Sequence, residues 1–102
     1  MMTMAEFAIE AAGDGRLRAS GELSFETAAG ALRSGLDLLR RNGSWVVDLS
    51  GVSSGDSAGV AVLVEWLAAV RAAGGNVRYE GVPTQMLAIA KISDLEDLLL
   101  PR

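Results

Sequence analysis

The chain has 102 residues, half of them apolar, enough for one hydrophobic core and too ordered a composition for a disordered segment. A net charge of −4 argues against a nucleic-acid binder, which presents a basic face. There is no cysteine and no histidine, so disulfides, a thiol nucleophile, the commonest zinc ligand and any Ser-His-Asp triad are excluded.

The first residues carry acids where a secretory signal needs a basic segment. The longest apolar run, Val60 to Val64, is far too short to span a bilayer. A soluble cytoplasmic protein is expected, one domain over residues 1–102.

In chain order, Phe7 to Ala12 alternates weakly and reads as an edge strand. Gly13-Asp14-Gly15 is a hairpin turn signal, and Arg16 to Ala19 alternates as a half-buried strand does. Ser24 is a candidate N-cap for a helix from Phe25 to Arg41, with Ala28, Ala31, Leu32, Leu36 and Leu39 at helical spacing. Gly30 and Gly35 weaken that helix by about 1 kcal/mol each relative to Ala, unless close packing requires them. Arg40 and Arg41 suit its C-terminal dipole, and Asn42-Gly43 is the expected C-cap.

Trp45 to Leu49 is nearly all apolar, as befits a central strand covered on both faces. Asp48 interrupts it; a carboxylate there either accepts bonds from nearby N–H groups or has a direct role. Ser50 to Gly55 reads as a polar, Gly-rich loop. A helix from Ser57 to Ala73 follows, with Asp56 as natural N-cap and Ser57 as the neighbouring candidate. Val60, Leu63, Val64, Leu67 and Val70 form its core stripe. Val62, Trp66, Ala69 and Ala73 fall on another side, where Trp66 is either covered by a neighbouring element or an interface anchor.

Gly74-Gly75 ends this helix, and Asn76 to Tyr79 alternates as a strand. Val82-Pro83-Thr84 opens a third helix with Met86, Leu87, Ile89 and Ala90 on its apolar side. Ser93 to Asp97 opens a last helical turn, Leu95, Leu98 and Leu99 return to the core, and Pro101 closes the fold. The fold class is α/β: a small mixed sheet of about four strands with helices packed mainly on one face, the strands separated by helices running parallel.

No catalytic constellation, cofactor motif or metal site stands out. There is no Walker lysine, and the carboxylates Asp48 and Asp56 lack a third ligand. The stretch from Val52 to Ala61 is different: a helix N-terminus following a strand can hold an anion, a phosphorylated hydroxyl or a partner's acceptor.

Here the sequence resembles a STAS domain. The resemblance rests on Val46-Val47-Asp48-Leu49-Ser50-Gly51-Val52, on Asp56-Ser57-Ala58-Gly59 at the helix start, on the Gly-Gly stop and on the tail from Val82 to Leu99. It covers most of the chain. In the bacterial anti-sigma-factor antagonists of that family, a partner kinase phosphorylates the second hydroxyl residue of an Asp-Ser-Ser-Gly motif. That position is Ala58 here, which has no hydroxyl. Asp-Ser-Ala-Gly-Val-Ala is instead similar to the Asp-Thr-Ala-Gly-Leu-Ala pattern of the MlaB-like branch, with Ser57 in the place of the threonine.

The resemblance implies a non-catalytic subunit of a phospholipid-transport ABC complex that maintains outer-membrane lipid asymmetry. It implies docking on an MlaF-like ATPase subunit and, through it, the permease, at the cytoplasmic face of the inner membrane. It places docking at this helix start, with Asp56 and Ser57; position alone adds Ser53 and Ser54 on the same rim and Ala58, Val62 and Trp66 on or beside the off-core face of the helix as further partner-binding residues. The rival reading is an anti-sigma-factor antagonist in a phosphorylation-controlled switch, with Ser57 as acceptor. An enzyme is the third.

Overall fold

The computed structural model describes residues 6–40 and 43–100. Strand β1 (Ala8–Ala11) and strand β2 (Arg16–Leu23) form an antiparallel hairpin. Its turn is closed by Ala12 N–H donating to the Arg16 carbonyl at 2.9 Å, with Gly13 and Gly15 at positive φ. Helix α1 (Ala28–Leu38) leads to strand β3 (Ser44–Gly55), helix α2 (Ser57–Ala72), strand β4 (Asn76–Glu80), helix α3 (Thr84–Ile92) and a short helix α4 (Glu96–Leu99). The sheet order is β1-β2-β3-β4, with β3 parallel to both β2 and β4, as expected for strands joined through helices. The predicted helix end at Arg41 and Asn42, and the terminal Pro101, lie outside the described residues.

The register sorts the side chains into two faces. Leu17, Val47 and Tyr79 stand in one row and are buried under the helices. The rows on either side, Arg16-Val46-Arg78 and Arg18-Asp48-Glu80, point to the other face. Among the described residues no helix lies over that face. Strand β3 is therefore covered on one face, not on both. Val46 is half-buried because Arg16 and Arg78 flank it, and both of those arginines pair with Glu80 at 3.1 Å.

The predicted loop from Ser50 to Gly55 is not a loop. It is the second half of β3, which runs for 12 residues. Two register shifts hide it: between Arg18 and Ser20, and between Gly21 and Glu22, β3 carries an extra residue relative to β2. Each bulge resets the alternation, so the buried positions run Val47, Leu49, Val52, Gly55. Period two is lost, and the Ser/Gly composition then reads as a turn.

Helix α2 is covered on most sides. Val60, Leu63, Leu67 and Val70 join the core, with Val64 partly buried, and so do Val62 and Trp66. Tyr79 donates its hydroxyl to the Leu63 carbonyl from the sheet below, which ties α2 to β4; burial pushes its pKa up. The helix ends in a Schellman motif: Gly75 N–H donates to the Val70 carbonyl and Gly74 N–H to the Arg71 carbonyl, each at 2.9 Å, with Gly74 at φ +91°. In α3, Met86 and Ala90 are buried, and Leu99 of α4 returns to the core.

Trp66 is fully buried, which overturns its reading as an interface residue. Its indole N–H donates to the Leu32 carbonyl of α1 at 3.3 Å, and Phe7 packs obliquely with ring centroids 6.1 Å apart. Gly35 of α1 lies directly against the indole, and a Cβ there would overlap the ring. Gly30, by contrast, faces open space. The two glycines of α1 therefore predict opposite outcomes. Gly30→Ala should stabilise the domain by about 0.4–1 kcal/mol. Gly35→Ala should destabilise it by about 1–3 kcal/mol through overpacking. Thermal melts of the two single variants against wild type check both signs.

Candidate functional site

The site grows from the junction of β3 and α2. Asp56 leaves the strand in an extended conformation and caps the helix. Its Oδ1 accepts from Ala58 N–H at 2.9 Å and Gly59 N–H at 3.2 Å. Its Oδ2 accepts from Phe25 N–H at 3.0 Å, in the segment between β2 and α1. One carboxylate thus joins the start of α2 to the approach of α1. These donors, Phe25 N–H foremost, hold Asp56 below the ordinary aspartate value of 3.8, against desolvation that acts the other way.

Helix α1 starts later than the predicted Phe25. Phe25 N–H is committed to Asp56, and the Ser24 hydroxyl donates to Glu22 rather than capping a helix. Ser24 N–H donates to Thr27 Oγ1 at 2.9 Å, which closes a turn, and the helix opens at Ala28 with Thr27 at its N-cap position.

Ser57 is exposed, and its hydroxyl takes no part in the cap, which Asp56 supplies alone. Ala58 is half-buried beside it. Ser53 is exposed on β3, with its hydroxyl donating to the Gly21 carbonyl at 3.3 Å. Ser54 is half-buried and stands opposite Glu22 in the register. Val62 is buried and contributes floor, not rim. Of the seven residues read as partner-binding, Asp56, Ser57 and Ala58 meet at the helix start. Ser53 and Ser54 line the strand before it, and Trp66 belongs to the core.

The sequence reading missed the feature next to this turn. An open apolar groove of about 450 Å³ runs between α1 and α2, lined by Phe25, Ala28, Ala29, Leu32, Ala58, Ala61, Val62 and Glu65. Phe25 stands at its mouth, 81% exposed, the largest aromatic surface among the described residues. The only sequence signal was an apolar residue between Ser24 and Glu26, a position that ordinarily reads as the first core residue of a helix.

Asp48 lies apart from Asp56, on the uncovered sheet face. Its Oδ1 accepts from Ser50 N–H at 2.9 Å. The Ser50 hydroxyl first, then that N–H, lower its pKa, with smaller contributions from Arg18 and Arg16. The two carboxylates read together in the sequence are not brought together. Among the described residues no group of three His, Cys, Asp or Glu side chains is placed to hold a metal, and no helix is long and apolar enough to cross a membrane.

A family model described as MlaB, STAS domain matches residues 7–101. Among solved structures, the unphosphorylated anti-sigma factor antagonist SpoIIAA superposes with a TM-score of 0.71 at 14% identity, over 92% of this chain and 85% of that one. The Thermotoga maritima protein TM1081 gives 0.71 at 20% identity, over 92% and 83%. The murine anion transporter Slc26a9 gives 0.60 at 16% identity, over 81% of this chain and 14% of that one. At these identities the likeness is one of fold. No curated protein sequence matches the chain.

The carboxylate that holds the site yields a pH test. Asn equals Asp as an N-cap, but it has one acceptor oxygen, so Asp56→Asn cannot serve both α2 and Phe25. A loss of about 1 kcal/mol, or about 4–8 °C in Tm, is expected at neutral pH. The depressed pKa means that the contribution of Asp56 is present above the ordinary value and is lost as pH falls through the folded one. The Tm gap between wild type and Asp56→Asn should therefore narrow below about pH 4. A gap that stays constant from pH 7 to pH 3 would show that the charge is not what matters.

Proposed function

The chain belongs to the MlaB-type STAS domain family, and on that premise we propose that it is a non-catalytic subunit that docks on the ATPase subunit of an ABC transporter. The transporter is of the phospholipid-moving, Mla type, and the site of action is the cytoplasmic face of the inner membrane. The docking surface is the turn at the start of α2 with the groove beside it. The observation that carries this reading is the state of that turn. Ser57 offers an exposed hydroxyl that the cap does not use, and Ala58, at the position phosphorylated in the anti-sigma antagonists, has no hydroxyl to modify.

A rim held by the Asp56 hydrogen bonds beside an open apolar groove suits recognition of a protein surface. The effect on the ATPase is then a shift toward the conformation to which the domain binds more tightly.

Ser57→Arg places a bulky cation on an exposed position and leaves the cap intact. It should keep the circular-dichroism spectrum and melting behaviour of wild type while co-purifying less of the cognate ATPase. Recovery of the ATPase at wild-type level would remove Ser57 from the docking surface. The exposed hydroxyl also favours one rival, phosphorylation of Ser57 itself. Intact-mass spectrometry after incubation with ATP and a cognate anti-sigma kinase decides it: a phosphate on Ser57 would replace the transport reading with a partner switch.

A further inference from the structure

We propose that the groove between α1 and α2 receives one amphipathic helix of the partner, with a Lys or Arg of that helix paired to Glu65 and Phe25 inserted into an apolar pocket of the partner. This rests on the docking reading above and specifies what fills the surface.

The walls of the groove dictate a helix. Both are α-helices whose N–H and C=O groups bond within themselves past the first turn. An extended segment laid between them would find no strand edge and would bury its own backbone unpaired; a helix arrives with its backbone already satisfied. The wall residues Ala28, Ala29, Ala58 and Ala61 are short, so a third helix can approach closely, with Leu32 and Val62 as the floor.

Charge decides what that helix carries. Glu65 is the one ionisable residue lining the groove, it is exposed, and no ion pair engages it among the described residues. Glu26, exposed next to Phe25, lines a separate hollow with Phe7 and Gly30 and not this groove. Arg33 follows Leu32 on α1 but pairs with neither. A helix with a cationic residue facing Glu65 meets its counter-charge at the edge of an apolar contact, which favours that partner over an acidic one.

Phe25 is the anchor because its exposure is not accidental looseness. Its backbone N–H is bonded to the Asp56 carboxylate, so the segment that carries the ring is already held in place and its backbone need not be ordered on binding. Aromatic anchors on rigid supports are where truncation weakens binding most.

The test measures affinity of the full chain for the purified cognate ATPase by calorimetry, and maps the groove with a photo-crosslinking residue at Ala61, with Ser50 on the far sheet face as control. Phe25→Ala should weaken binding about 30-fold or more, and Glu65→Lys about 5- to 10-fold with a flattened salt dependence. Both positions are exposed, so melting curves should stay unchanged. The Ala61 adduct should lie in an ATPase helix bearing Lys or Arg, and reversing that cation to Glu should restore binding to Glu65→Lys. Wild-type affinity in both variants while the ATPase still binds, or an adduct to a second copy of this chain, overturns the inference and leaves docking elsewhere intact. Absence of any ATPase binding overturns the function proposed above, and this inference with it.

Discussion

Three backbone N–H groups from two separate segments converge on the Asp56 carboxylate, and the usable surface of the domain depends on that convergence. Two of the donors belong to the first turn of α2, which has no internal acceptors for them. The third belongs to Phe25, between β2 and α1. A neutral cap would satisfy the helix alone. The anion, with two oxygens and full acceptor capacity, also fixes the segment that leads into α1. Gly55 just before Asp56 is wedged against Met86 and the Leu23 carbonyl, and Gly59 just after it lies against Leu23. The position of Ser57 and the mouth of the groove are thus set by main chain and one carboxylate.

The second determinant is the seat of Trp66. The indole fills the space where α1 crosses α2, against Gly35, and bonds back to the Leu32 carbonyl. It acts as a spacer. The groove lies on the solvent side of the same helix pair, with Leu32 contributing both the carbonyl that holds the indole and a side chain on the groove lining. Trp66 therefore influences the surface without touching it. Charging it would disturb the spacing of the two helices rather than a contact with a partner.

Much of this was legible in the sequence, for identifiable reasons. The hairpin at Gly13-Asp14-Gly15, the cap at Asp56, the stop at Gly74-Gly75 and the four-stranded sheet with helices on one face all follow local rules that tertiary packing leaves alone. The second half of β3 was not legible, because its bulges break the alternation by which a strand is read. Trp66 could not be placed, because α2 is apolar on most sides and a helical wheel does not say which sides are covered. Asp48 and Asp56 looked like a pair because they flank one motif; the length of β3 separates them. Phe25 was invisible as a surface residue, since the turn that Ser24 and Thr27 close between their backbone and the Thr27 hydroxyl sets the start of α1 after it, and nothing in the local pattern announces that turn.

The chain has no histidine and no cysteine, so no side chain with an ordinary pKa near neutrality is available to switch the surface at the start of α2. The perturbed aspartates titrate below the ordinary carboxylate range, well outside physiological pH. With Ser57 unmodified the surface keeps one charge near neutral pH, and the cap and the indole hold the main chain beneath it. On the docking reading proposed above, and with Ser57 unmodified, control over a partner comes from the partner's own conformations. Such a domain biases an equilibrium only by the ratio of its affinities for two states: a hundredfold preference is worth about 2.7 kcal/mol, however tightly either state is bound. A surface that does not titrate near neutrality suits the proposed role, because occupancy then follows the state of the partner rather than a charge change in the domain.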